Sequence, residues 1–139
     1  MGFLGGCCLR RSLSLWAVLP MSLTPQQVEK RLYELSVEMD QAHEDLVHAE
    51  SLYHQNKASY EIAMASSRLF LANKSSPSGR NYTVGERDDM ALLENRDLHR
   101  IVAGDEAIVK ANRANVARLR VQVDITRSIS SSIKATLDL

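Results

Sequence analysis

Cysteine, proline, glycine, aromatic residues and net charge are all in short supply in this 139-residue chain. The two cysteines, Cys7 and Cys8, are adjacent and near the start, which excludes a disulfide-rich scaffold. Six glycines exclude a collagen repeat. Aromatic residues make up only 5%. With so few turn residues beside them, a β-sandwich is excluded as well. Basic and acidic residues number 17 each, so the formal net charge is zero, and 45% of the chain is hydrophobic. That balance argues against disorder throughout. No segment approaches the roughly 20 consecutive apolar residues of a membrane span. A Gly-rich phosphate loop, a nucleophile elbow and a Ser/His/Asp arrangement are also missing, so no enzymatic activity and no cofactor are expected. The length suits a single domain.

Residues 1–20 differ in texture from the rest. They hold both cysteines, the single Trp (Trp16) and three of the six glycines. The expectation is that Met21 is the true start and that 1–20 is a disordered upstream extension. A secretory signal fits poorly. Arg10 and Arg11 follow the Gly-rich start, and the apolar stretch after them is short and broken by Ser14. A lipid anchor would use Gly2 for myristoylation and Cys7 and Cys8 for palmitoylation. However, Gly6 stands where the myristoylation pattern wants Ser or Thr. Leu4-Gly5-Gly6-Cys7 resembles a lipobox, but no apolar stretch precedes it. Without the extension the chain has no cysteine and a net charge of −2, which is consistent with a soluble, cytoplasmic protein. A membrane partner is disfavoured.

What is present is helical patterning. Thr24, Pro25 and Gln27 form a capping box with proline at the first helical position. Leu23 and Val28 stand at the two staple positions. No Gly or Pro then appears until Pro77. Val28, Leu32, Leu35, Met39, Ala42, Leu46, Ala49, Tyr53, Tyr60, Ala63 and Phe70 alternate at spacings of three and four. Asn56 and Ser67 interrupt that seam. A first helix is predicted over residues 25–72 and a loop over 73–83. Thr83 and Glu86 make a second capping box, with Gly85 in its first turn weakening the start. A second helix is predicted over 84–135. Its stripe runs Leu98, Val102, Val109, Val116, Leu119, Val123, Ile133 and Leu137, interrupted by Asp105, Asn112, Thr126 and Ser130. Ile101, Ile108 and Ile129 widen the apolar face beyond what one partner helix needs, so they are assigned to an oligomer interface.

Two long helices and a short loop make an all-α, antiparallel, coiled-coil-like hairpin over 21–139. Charge supports the fold-back. Residues 25–50 carry seven acids and two bases, and residues 110–139 carry six bases and two acids. A turn about residue 78 would set Glu29 near Arg127, each exposed pair adding about 0.5 kcal/mol. A lone hairpin buries little core for its length, so oligomerisation is expected.

Two constellations could carry function. Arg113, Arg120, Arg127 and Lys134 recur every seven residues, with Arg118 nearby, forming a basic ladder that could grip nucleic-acid phosphates. Interhelical ion pairing is the competing reading. The absence of interleaved aromatics and of a basic chain overall counts against nucleic acid. His43, His48, His54 and His99 fit neither a His-Glu-x-x-His zinc motif nor a di-iron bundle, so no metal site is expected.

From Met21 on, the chain resembles small helical proteins of bacteriophages and prophages. The residues that carry the likeness are Lys57–Ala65, Arg68-Leu69, Tyr82–Arg87, Asn115–Arg120 and Arg127–Ile129. The wide apolar face and the lack of site chemistry predict a non-enzymatic coiled-coil interaction protein, and the resemblance implies an accessory factor near phage DNA replication or recombination, in the bacterial host cytoplasm. Its expected partners are a second copy of itself and another protein, with nucleic acid, or a lipid-anchored membrane location, as alternatives.

Overall fold

The computed structural model describes residues 23–138. The expected extension at 1–20, with Gly2, Cys7 and Cys8, lies outside the described residues. Among these, 87% are helical and no strand forms. The helices are α1 (Pro25–Ala72), α2 (Val84–Glu94) and α3 (Arg96–Leu137).

Local chemistry sets both helix starts. Thr24 Oγ1 accepts from the Gln27 N–H at 3.3 Å, and Gln27 Oε1 accepts from the Thr24 N–H at 2.9 Å. Thr83 and Glu86 repeat the exchange at the start of α2. Gly85 therefore does not delay that helix. The Thr83 N–H, with help from Arg80 at 2.6 Å, holds the Glu86 carboxyl below its usual range. In the loop between them, Ser75 and Asn81 pair across a tight turn. The turn closes at Gly79, whose φ of 75° suits a residue without Cβ.

The single second helix expected over 84–135 is divided at Asn95. The Asn95 side chain donates to its own Ala91 carbonyl at 2.9 Å and to Ser67 Oγ on α1 at 3.0 Å. A side-chain amide bonded four residues back competes with the backbone ladder and bends a helix. Here the bond across to α1 fixes the place of that interruption. By contrast α3 runs without a break through Gly104.

α1 packs antiparallel along α3, as the paired positions show: Glu50 meets Arg113, Asn56 meets Asp105, and Arg68 meets Asp88 on α2. The core centres on Leu35, Ala42, Val116 and Leu119, flanked by Met39, Leu46 and Val123. The predicted seam holds along most of α1 and then slips by one position. Phe70 is 63% exposed, while Met64 and Leu71 are buried. Leu137, placed in the α3 seam, is exposed as well. The expected Glu29–Arg127 ion pair does not form among the described residues; the pairings Glu50–Arg113 and Asn56–Asp105 mark the register instead.

The polar interruptions of the two seams meet each other. Asn56 Nδ2 donates to Asp105 Oδ2 at 2.7 Å, and Asn95 binds Ser67. Asp105 and Ser67 are both buried, so each bond satisfies a group that burial would otherwise penalise. Gln122 Oε1 is the one buried side-chain oxygen without a partner among the described residues, and nothing in the fold explains it.

Replacing Asp105 or Asn56 singly by Ala should destabilise the fold by about 1–3 kcal/mol, the more so for Asn56→Ala, which leaves the buried Asp105 carboxylate unsatisfied. The double Leu replacement should recover much of that loss while relaxing the register. Urea denaturation of the four species, followed by helical circular dichroism, checks this; additive single losses would contradict it.

Candidate interaction surfaces

With one seam buried, the hairpin presents two long flanks, one charged and one neutral. The charged flank carries the ladder. Arg113 is its one member paired across the hairpin, donating twice to Glu50 Oε1 at 2.7 and 3.1 Å. Just beyond it, Lys110 and Glu106 pair within α3 at 2.7 Å. The Lys110 hydrogen bond holds the Glu106 carboxyl low, helped by the charge of Lys57 on α1. In turn Glu106 raises the Lys110 ammonium.

Arg120, Arg127 and Lys134 form no ion pair among the described residues. Arg120 and Arg127 instead rim an open cleft of about 500 Å³ lined by Leu32, Met39 and Val123, with Asp40 and Asp124 beside them. Arg118, grouped with the ladder from the sequence, belongs to the other side. It donates to Asn115 at 2.9 Å and borders a second concavity with Glu38 and Asp45.

The acidic half of α1 was expected to neutralise this ladder. Three of its seven acids are engaged within α1: Arg31 holds Glu34 and Glu38 at 3.3 and 2.9 Å, and Gln41 holds Asp45. Those two carboxylates raise the Arg31 guanidinium above its ordinary value, Glu38 first.

The neutral flank carries Ile101 and Ile108, which are 48% and 52% exposed; Ile129, further along, is half-buried. The sequence reading missed the contribution of α1 to this flank. Leu52 is 42% and Ile62 68% exposed. They stand on a row with Leu69 at spacings of three and four, a faint second stripe hidden behind the stronger seam.

No group of three metal-ligating side chains occurs among the described residues. The His43 Nδ1 bonds the Met39 carbonyl at 2.8 Å, while His54 and His99 lie against Tyr53 and Tyr60. No described helix is long and apolar enough to cross a membrane. The chain matches no protein-family model, no curated protein and no solved structure.

Glu50→Ala should lower stability by no more than about 1 kcal/mol, since the Arg113 pair is largely solvated, and 1 M salt should erase the difference. Thermal melts of both proteins at low and high salt measure it.

Proposed function

We propose that the protein is a non-enzymatic helical interaction module that self-associates and engages a further protein. One observation carries the reading: the neutral flank stays open beside a seam that is already complete. Ile101, Ile108, Leu52 and Ile62 face solvent there. Exposed aliphatic side chains gathered on one flank, with no ionisable residue between them on their rows, suit a contact site. With the resemblance read from the sequence, the proposal extends to an accessory role beside phage replication or recombination proteins, in the host cytoplasm. Sedimentation equilibrium of the full chain should give a mass above the monomer that rises with concentration. A monomer at every concentration, with no protein captured in a pull-down, would sink the reading.

A second reading is favoured by the unpaired row Arg120, Arg127 and Lys134, which could track a phosphate backbone. Three phosphate contacts would give a salt slope of about −2.7 on duplex DNA. A gel shift at rising salt tests this, with Arg120→Glu/Arg127→Glu as the control variant; no shift at low salt ends it.

A further inference from the structure

We propose that two copies pair through the neutral flank into an antiparallel four-helix bundle, with α1 of each lying on α3 of the other. The proposal rests on the self-association reading and adds its surface, its partner and its arrangement.

Gly104 points to the place. A mid-helix glycine costs about 1 kcal/mol relative to alanine, and a Cβ built there would meet nothing within 4 Å. Nothing inside the monomer therefore requires its small size. It stands between Ile101 and Ile108 on one row of α3, with Ala111 next. A glycine flanked by exposed isoleucines lets a helix from outside approach closely. No ionisable side chain interrupts that row from Ile101 to Ala111, nor the facing row of α1 from Leu52 to Leu69.

Charge selects a second copy and its orientation. Beyond the neutral stretch, the same flank carries Glu38 and Asp45 on α1 and Arg118 on α3, around one concavity. A two-fold axis along the hairpin keeps every residue at its own level but exchanges the helices. Leu52 then lies over Ile108 of the second copy, and Glu38 and Asp45 lie over its Arg118. Arg118 is the one base of that half of α3 beside this concavity, and it meets the two acids twice per dimer. An axis across the hairpin would instead set α1 on α1 and lose this match. A contact two helices wide along half of the ~70 Å hairpin covers on the order of 700 Å² per copy, close to the ~800 Å² per partner of a stable specific complex. Arg120, Arg127 and Lys134 remain on the outer faces.

Sedimentation equilibrium and circular dichroism of four proteins test the arrangement. Wild type should be dimeric. Ile108→Lys should weaken the dimer at least a hundredfold with helix content unchanged, because the site is exposed in the monomer. Arg118→Glu alone, and Glu38→Arg/Asp45→Arg alone, should each weaken it at least tenfold. An equimolar mixture of those two should regain wild-type affinity, since both copies then present opposite charges across the contact. If the wild type is dimeric and Ile108→Lys is equally so, the flank is wrong while self-association stands. If the mixture fails to recover, the placement of α1 on α3 is overturned. A wild-type monomer up to the solubility limit overturns both readings.

Discussion

The hydrogen bond between Asn56 and Asp105 fixes how the two long helices sit against each other. A seam made only of aliphatic residues at spacings of three and four can slide by a heptad at modest cost, and a buried polar residue removes that freedom. Here two polar layers act together. Asn56 and Ser67 on one side, and Asp105 and Asn95 on the other, are each separated by about three turns. They coincide only in the observed register. Sliding by a heptad would bury Asp105 against aliphatic side chains, a large penalty for a carboxylate.

From that register the surface follows. Glu50 lands on Arg113, while the positions of α1 nearest Arg120 and Arg127 include Ser36, Leu32 and Met39, with Asp40 of α1 and Asp124 of α3 the acids of the cleft. The basic ladder therefore makes one direct ion pair across the hairpin, at Arg113, although the two half-helices carry opposite charge. Zero net charge in the composition thus conceals two separate features. One is an end-to-end complementarity that favours the antiparallel hairpin. The other is a row of cations that the hairpin leaves in water. Exposed ion pairs are worth little individually, so the polar layers and the apolar seam hold the register and the charges only bias it.

The first helix was legible to the residue, because its limits are set by local chemistry: Thr24 and Gln27 at the start, and the polar loop after Ala72. The seam was legible as far as its spacing stayed regular. The Asn95 interruption was not, because it depends on Ser67, 28 residues away. The slip that buries Met64 and Leu71 in place of Phe70 arises alongside α2, where the interrupted second helix presents a different face to α1. The turn falls where the sequence places it, Ser75–Asn81 being symmetric about residue 78; the shift to the Asn56–Asp105 pairing arises after it, at the Asn95 interruption. Asn56, Asp105 and Ser67 read in each helix separately as flaws in a stripe. Their complementarity exists only between the stripes. Of the candidate surfaces, Ile101 and Ile108 were visible as a widened face, but their company of Leu52, Ile62 and Gly104 required the hairpin to be closed.

A two-helix hairpin has one seam, so its length adds surface nearly as fast as core. Among the described residues the buried apolar set includes three alanines at positions 42, 49 and 91, and Leu35 and Leu119 are its largest fully buried members. Meanwhile Leu52, Ile62, Ile101 and Ile108 remain in water. Small residues in the seam bring the two helices close and limit the area that each turn removes from water, at about 25 cal/mol per Å². The same four side chains, once covered, would add apolar burial without any change in the hairpin's own register. Gly104 would have the opposite sign in the two states: it weakens the isolated helix, and in the proposed dimer it would allow close contact. In that dimer the stability of the hairpin would depend on its neutral flank as well as on its own seam.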